Sequence, residues 1–256
     1  MRARKRFGQH FLHDPAVVAR IVSAVAPRHG EHLVEIGPGR GVLTRALLAQ
    51  PHASLDAIEI DRDLGALLAH ELPPLALHVQ DALEFDFAAL ARRHGGRLRI
   101  VGNLPYNIST PLLFRLLASA DSIIDLHLML QREVVARMAA RPGSGDYGRL
   151  TVMLAPRVTV ERLFDIGPGA FQPPPRVWSA LVRLTVREQP AFGLSPLYAE
   201  IVAAAFSQRR KTLRNALHGR LSAAQIQACG LDPGARPETL APEAFDILAR
   251  IAAGTA

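Results

Sequence analysis

Short apolar runs alternate with longer segments of helical apolar spacing between residues 14 and 131. A continuous apolar run between turn residues is typical of a strand buried on both faces, whereas repetition every three or four residues is typical of a helix. Such strand–helix alternation favours a doubly wound, mostly parallel sheet that binds ligands at the carboxyl ends of its strands. The predicted strands are Leu33–Ile36, Leu55–Ile60, Leu77–Val79, Leu98–Val101 and Ile124–Leu130.

After residue 131 the alternation stops. Two β-type stretches, Arg157–Ile166 and Ser179–Val186, predict an antiparallel pair added at the sheet edge. Glutamate, glutamine, proline and glycine at residues 188–194 predict a linker, and only helical segments follow, including one over 208–218. We therefore predict an α/β domain over residues 1–187 and a small all-α domain over residues 188–256.

The composition excludes several classes of protein. The chain has 256 residues, of which 49% are hydrophobic and 21% charged, so it can bury a full core and is not disordered. Its single cysteine, Cys229, excludes a disulfide framework and a zinc-finger set. No apolar run is long enough to span a membrane, and the basic Met1–Gln9 segment lacks the apolar stretch of a secretory signal. We expect a cytoplasmic protein.

A formal net charge of +7 indicates a polyanionic partner, although only two of the thirty basic residues are lysines. An arginine excess of this kind also arises from coding bias in a GC-rich genome, and basic runs are often solvated faces. The positions of the basic residues are more informative than their number. Two clusters stand out: Arg2, Arg4, Lys5 and Arg6 at the N-terminus, and Arg209, Arg210, Lys211 and Arg214 in a late segment.

A glycine-rich turn, Glu35–Gly41, directly follows the first predicted strand. Glycines at Gly37, Gly39 and Gly41 let the backbone curl and approach a ligand closely. Counting from Gly37, the sixth position is Val42 instead of the glycine that the dinucleotide fingerprint requires, and a P-loop lysine is missing. A pyrophosphate or nucleoside triphosphate is therefore not the expected ligand. A purely structural turn remains an alternative.

Two acidic residues at strand ends narrow the choice of ligand. Glu59 ends the second predicted strand, where a carboxylate can accept hydrogen bonds from both ribose hydroxyls. Asp81 follows the third strand and is placed to accept from an adenine amine. An acid at either position can also be a helix N-cap. Together with the glycine turn, the two acids predict a bound adenosine without phosphates, and S-adenosylmethionine is the common cofactor of that description.

The fourth predicted strand is followed by Asn103–Tyr106. An adenine amine is a poor nucleophile because its lone pair is delocalised into the ring. Two acceptors, the Asn103 side-chain oxygen and the Pro105 carbonyl, would draw the amine towards tetrahedral geometry, and Tyr106 would stack on the base. After it has attacked the methyl carbon, the nitrogen is a cationic and acidic ammonium, so the reaction needs no general base and consists mostly of positioning. An ordinary Asn-Pro turn with a buried tyrosine remains an alternative.

Phe171 precedes a proline cluster, Pro173–Pro175. Consecutive prolines hold an extended, stiff backbone. We predict that this segment presents Phe171 opposite Tyr106, so that the two rings hold a base between them. The alternative is that Phe171 anchors a surface loop.

These motifs, taken together, resemble the ribosomal RNA adenine N6,N6-dimethyltransferase family, and most closely its bacterial small-subunit (16S) branch. The matches occur in order along nearly the whole chain, which argues against a chance likeness. They are Arg6–Leu12, Glu35–Gly39, Asn103–Pro111, Met129–Val134, Tyr147–Leu150, Phe171–Val177 and Gln208–Asn215.

The resemblance implies a Rossmann-like S-adenosylmethionine-dependent methyltransferase with a helical C-terminal RNA-binding domain. It implies cofactor contacts at His10, Leu12, Gly37, Glu59, Asp81 and Asn103, and acceptor-site roles for Asn103, Leu104, Pro105, Tyr106 and Phe171. The family usually has asparagine at the position of His10. A cofactor contact made by the backbone would be the same with either residue.

The substrate that the resemblance implies is a pair of adjacent adenosines in the hairpin loop near the 3′ end of 16S rRNA, each methylated twice within an immature 30S subunit. We expect a monomer whose two basic clusters contact RNA phosphates. Two alternatives stay open: a large-subunit (23S) adenine methyltransferase of the macrolide-resistance type, and a ribosome-assembly factor for which methylation is secondary.

Overall fold

The computed structural model describes residues 9–208 and 210–254. All seven predicted strands are present, with ends shifted by at most two residues. The strands are β1 (Phe11–Leu12), β2 (His32–Ile36), β3 (Ser54–Glu59), β4 (Ala76–Val79), β5 (Leu98–Asn103), β6 (Ile123–Gln131), β7 (Val158–Ile166), β8 (Phe171–Gln172) and β9 (Ser179–Val186).

Within the described chain, four of the helices begin at a residue whose side chain caps them: Asp14, Asp61, Asp86 and Ser222. The Asp14 carboxylate accepts from the amide of Ala16 at 2.8 Å, and the Asp86 carboxylate accepts from the amide of Ala89 at 2.8 Å. None of the helices in the described residues is long and apolar enough to cross a membrane. The helices are α1 (Pro15–Val25), α2 (Val42–Leu48), α3 (Arg62–Glu71), α4 (Phe87–His94), α5 (Ser109–Ala118), α6 (Arg132–Met138), α7 (Arg149–Leu154), α8 (Tyr198–Ala205), α9 (Leu213–Ala216), α10 (Ala223–Ala228) and α11 (Pro242–Ala252).

Seven strands form one sheet in the order β4-β3-β2-β5-β6-β9-β7. Strands β2 to β6 pair in parallel, and β9 pairs antiparallel with β6. The strand order reverses between β2 and β5, and that switch point is where open α/β sheets bind ligands. The predicted fold class, a doubly wound and mostly parallel sheet with added C-terminal helices, is confirmed. A two-stranded sheet of β1 and β8 was not predicted.

The chain divides into two compact units. The first comprises the chain up to Val135 together with Val160–Val186, and its core includes Ile21, Leu33 and Leu47. The second comprises Ala136–Thr159 and Arg187–Ala256, and its own core is built around Val202 and Phe245. The second unit thus contains residues 136–159 in addition to the helical region that the sequence predicts.

One predicted helix, over residues 208–218, is much shorter in the structure. The amide of Lys211 donates to the carbonyl of Gln208 in a turn, and Thr212 is extended at φ −73° and ψ 162°. The extended residue stops any helix that starts before it, so α9 covers only four residues. Leu213 and Leu217 are nevertheless fully buried, as the helical spacing predicted.

Candidate active site

A cleft of about 750 Å³, including its open mouth, lies at the carboxyl ends of β2, β3 and β5. Its position agrees with the expected binding site of a doubly wound sheet. The structure brings together at this cleft most of the residues that the sequence predicts for cofactor and acceptor. They are His10, Gly37, Glu59, Asp81, Asn103, Leu104, Pro105 and Tyr106.

The glycine turn forms the floor of this cleft. Gly37 and Gly39 have φ values of +70° and +58°, which side-chain-bearing residues rarely adopt. A Cβ atom on Gly39 would lie 2.9 Å from the Phe11 ring, so the turn packs tightly beneath the N-terminal strand. A Cβ on Gly37 would meet only the Asn103 carbonyl, at 3.7 Å. The missing side chain therefore leaves open space where a ligand can approach the backbone.

The Glu59 carboxylate is buried and held by backbone amides. One oxygen accepts from the amide of Gly39 at 3.1 Å, and the other accepts from the amide of Asp61 at 2.9 Å. Burial raises the pKa of Glu59. The helix cap at this position is Asp61 and not Glu59. Each carboxylate oxygen has more than one acceptor position, so Glu59 can still receive two ribose hydroxyls.

Asp81 lines the same cleft next to the end of β4. One carboxylate oxygen accepts from the amide of Leu83 at 2.9 Å, which closes a turn and directs the side chain. Its second oxygen is suited to an adenine amine. Asp81 thus closes a local turn and lines the predicted ligand site, whereas the N-cap of the following helix is Asp86.

Asn103 ends β5 with its side-chain amide in a defined orientation. Its Nδ2 donates to the backbone carbonyl of His10 at 2.8 Å. Because a carbonyl can only accept, this partner assigns the nitrogen and leaves Oδ1 as the acceptor. The contact uses the backbone of His10, so it does not depend on whether histidine or asparagine occupies that position. Asn103 therefore carries a free acceptor in the cleft, as the predicted chemistry requires.

Tyr106 is held at its hydroxyl and has a second ring beside it. Its hydroxyl shares a hydrogen bond of 2.6 Å with the Ser179 hydroxyl, and burial raises the pKa of the phenol. The His10 ring stacks beside it, with centroids 5.8 Å apart and planes inclined by 30°. The His10 Nδ1 contacts the Pro173 carbonyl at 2.7 Å. The structure thus places a second aromatic ring, from His10, next to Tyr106.

Phe171 and Leu12 lie apart from the cleft. Phe171 is 2% exposed and pairs with Leu12 across the β1–β8 sheet, where both side chains belong to the first unit's core. Leu12 lines a smaller cavity that adjoins the glycine turn. The structure does not bring the rings of Phe171 and Tyr106 together, because Phe171 is held in the core. Its predicted stacking role would require that ring to leave the core.

Glu35, at the start of the glycine turn, is a site residue that the sequence reasoning missed. It is 2% exposed, lines the same smaller cavity, and its Oε2 has no hydrogen-bond partner among the described residues. Burial raises the pKa of Glu35 to about 7. An acidic residue inside an otherwise apolar strand was the signal that could have identified it.

Replacing Glu35 with glutamine is expected to change the pH dependence of stability. The folded protein holds the Glu35 proton more tightly than the unfolded chain does. The resulting contribution to stability is complete below about pH 4.5 and is lost as the pH rises through about 7. We compare the free energy of unfolding of ligand-free Glu35→Gln with that of wild type. The difference should shift in favour of Glu35→Gln by about 2–3 kcal/mol between pH 4.5 and pH 8. Urea unfolding across this range, with the exposed Glu188→Gln as control, measures the difference. A gap that does not change with pH would contradict the assignment.

The cleft fits S-adenosylmethionine in three respects. Glu59 offers acceptors to ribose, Asp81 offers one to adenine, and the bare face of Gly37 leaves room for the remainder. The unpartnered Glu35 oxygen in the adjoining cavity suits the cofactor's ammonium group. No group of three histidine, cysteine or acidic residues within 9–208 and 210–254 could hold a metal ion. Fold and cleft together define a Rossmann-like methyltransferase.

The family model "Ribosomal RNA adenine dimethylase" matches residues 1–252, and the chain belongs to this family. Ribosomal RNA small subunit methyltransferase A of Pseudomonas aeruginosa is 54% identical over 97% of this chain and 94% of its own. The protein of the same name from Thiobacillus denitrificans is 55% identical over 93% and 92%. Family membership confirms the predicted resemblance and the cofactor S-adenosylmethionine.

Two solved structures are similar over almost the whole chain. The 23S rRNA methyltransferase ErmE has 27% identity and a TM-score of 0.72, covering 94% of this chain and 98% of its own. A dimethyladenosine transferase from Plasmodium falciparum has 24% identity and a TM-score of 0.77, covering 93% and 96%. The second comparison supports the fold alone.

The predicted RNA-contacting residues are only partly within the described chain. Arg210, Lys211 and Arg214 are exposed around the start of α9. Arg4, Lys5, Arg6 and Arg209 lie outside the described residues. The contact of all these residues with RNA stays a prediction.

Proposed function

We propose that the protein transfers methyl groups from S-adenosylmethionine to N6 of two adjacent adenosines in the 3′-terminal hairpin loop of 16S rRNA. Each adenosine would receive two methyl groups while the 30S subunit is immature. The observation that carries this proposal is the oriented amide of Asn103, which leaves Oδ1 in the cleft as an acceptor. The identities of 54% and 55% to enzymes named for the small subunit support the choice of 16S rRNA.

The chain's own residues account for the activation of an adenine amine. Asn103 Oδ1 and the Pro105 carbonyl would accept the two N6 hydrogens and make the nitrogen more tetrahedral and nucleophilic. The Pro105 carbonyl already accepts from the amide of Ile108 at 3.1 Å and has a second acceptor position. When bound, S-adenosylmethionine supplies a methyl group on a positively charged sulfur. Tyr106 would hold the base by stacking.

The N-terminal segment helps to maintain this arrangement. Because the His10 carbonyl holds Asn103 Nδ2, the amide cannot rotate to present a donor to the N6 amine. The Ser179 hydroxyl similarly fixes the edge of the Tyr106 ring. Positioning of this kind lowers the entropy cost of the reaction, because acceptor groups are already placed before the adenine enters.

A large-subunit target is the second candidate, and it has weaker support. The similar 23S methyltransferase is 27% identical, half the value of the small-subunit relatives. We further propose that the protein acts as a monomer in the cytoplasm. Arg210, Lys211 and Arg214, with Arg4, Lys5, Arg6 and Arg209, would contact RNA phosphates and make binding dependent on salt.

Incubation of purified protein with undermethylated 30S subunits and labelled S-adenosylmethionine tests the function. We expect two neighbouring N6,N6-dimethyladenosines near the 3′ end of 16S rRNA, identified by mass spectrometry and by primer-extension stops. Undermethylated 50S subunits serve as the matched alternative substrate. Dimethyladenosine in 23S rRNA alone would replace the proposal with the large-subunit function, and no dimethyladenosine in either RNA would refute both.

A further inference from the structure

Trp178 is the chain's only tryptophan, and it lies unusually open to water. Its residue is 49% exposed, and the neighbouring Val177 is 44% exposed. Tryptophan is highly buried on average, so a half-exposed ring favours an interaction with something outside the chain. None of the roles described above uses it.

The backbone of Trp178 is tied to the candidate active site. The next residue, Ser179, holds the Tyr106 hydroxyl at 2.6 Å. The carbonyl of Trp178 accepts from the amide of Arg132 at 2.9 Å, and Arg132 directly follows β6. Trp178 is therefore anchored one residue away from the group that positions the base-stacking tyrosine.

The six-membered ring of Trp178 lies against a glycine. A Cβ atom on Gly167 would lie 3.6 Å from Cη2 and 3.7 Å from Cζ3 of the indole. These are ordinary van der Waals distances, so the six-membered ring lies beside the Gly167 backbone. Half of the residue's surface remains in water, so the indole offers apolar aromatic surface to a partner outside the chain.

Two arginines lie close to Trp178, one in space and one in sequence. The guanidinium carbon of Arg132 lies 5.8 Å from the indole centroid, and Arg176 is exposed two residues before Trp178. Asp165 is the nearby acid, and it is shared between Arg132 at 3.9 Å and Arg162. An aromatic ring among arginines is the combination that binds unpaired nucleic acid, since the ring stacks a base and the cations contact phosphates.

We propose that Trp178 stacks on an unpaired RNA base that flanks the methylated adenosine, while Arg132 and Arg176 contact the adjoining phosphates. The inference rests on the proposed function, because the position of Trp178 beside Ser179 and Tyr106 makes the flanking nucleotide its nearest candidate partner. An apolar protein partner is less suited to a ring that has Arg132 beside it and Arg176 two residues before it. Trp178 would thus help to place the target adenosine and to select its sequence context.

Intrinsic fluorescence tests the contact directly, because excitation at long wavelength reports on Trp178 alone. A synthetic RNA hairpin with two adjacent adenosines in its loop is titrated at low salt, where a protein of charge +7 is expected to bind RNA. Fluorescence anisotropy of an end label follows binding independently. We expect the tryptophan emission to fall by roughly half at saturation, since a stacked base quenches indole. Saturated binding without a change in emission would overturn the proposal.

The kinetics of methylation of undermethylated 30S subunits provide a second test of the role of Trp178. Trp178→Ala should raise KM by about tenfold while kcat falls less than twofold, and Trp178→Phe should recover most of the loss. Ile247→Ala is the matched control, because Ile247 is a similarly exposed apolar residue at 44%, and it should leave both parameters unchanged. A KM for Trp178→Ala within twofold of wild type would also overturn the proposal. Lack of methylation by wild-type protein would instead refute the proposed function. The fluorescence titration would then still show whether Trp178 contacts RNA.

Discussion

Replacing Asn103 with alanine is expected to slow methyl transfer by about 10²–10³-fold at saturating cofactor. The change removes the Oδ1 acceptor from the cleft and also the hydrogen bond of 2.8 Å between Nδ2 and the His10 carbonyl. Only the first loss acts on the N6 amine of the substrate. Single-turnover transfer of labelled methyl groups to undermethylated 30S subunits measures the rate, and calorimetry with sinefungin measures any accompanying change in cofactor binding.

Asn103→Asp separates the two contributions of this side chain. Aspartate keeps an acceptor oxygen in the cleft, but it places a second oxygen against the His10 carbonyl, which destabilises the orientation. We expect a rate between those of wild type and Asn103→Ala. Asn107→Ala is the matched control, because Asn107 is exposed and not among the cleft-lining residues. A wild-type rate for Asn103→Ala would show that the amide does not activate the amine.

Sequence patterns located Asn103 and Glu59 because each ends an apolar strand whose neighbours are also apolar strands. In a parallel sheet the carboxyl ends of such strands meet at one edge, so the pattern alone brings the two side chains to the same cleft. The pairing of Ile36 with both Ile58 and Gly102 shows the register that makes this work. The central sheet and its ligand edge were therefore predictable from local periodicity.

The burial of Phe171 was not predictable from the same patterns. Phe11 pairs with Gln172, and Leu12 pairs with Phe171, in strands of two residues separated by about 160 positions. A strand of two residues is too short to show periodicity. Its pairing partner depends on which segment, distant in sequence, the fold brings close in space. The proline cluster after Phe171 carried no information about which face of that segment would enter the core.

Glu35 was missed for a different reason. A single acid does not change the prediction of a strand from an apolar run. The pKa of that acid depends on how deeply the complete fold buries it. Here Oε2 is buried without a partner in the described residues, and the pKa rises to about 7. Helix boundaries near Thr212 failed similarly, since one extended residue ends a helix that the apolar spacing would continue.

The second large effect is expected from Glu59→Gln, which should weaken cofactor binding by about 10–100-fold. Glutamine keeps only one acceptor oxygen, so one hydrogen bond between a charged carboxylate and a ribose hydroxyl is lost. A hydrogen bond of that kind contributes about 1.5–3 kcal/mol to binding. Calorimetry with S-adenosylhomocysteine measures the change. Glu84→Gln, an exposed residue near Asp81, is the control.

Glu59 also holds the amides of Gly39 and Asp61, so weaker binding alone would not prove contact with the ribose. Methylthioadenosine and its 2′-deoxy analogue separate the two explanations. Wild-type protein should prefer the ribose form, and Glu59→Gln should lose most of that preference, whereas a distorted turn would weaken both ligands equally. Because burial raises the pKa of Glu59, wild-type affinity should also fall on acidification at a higher pH than for an ordinary glutamate, and Glu59→Gln should lack this dependence.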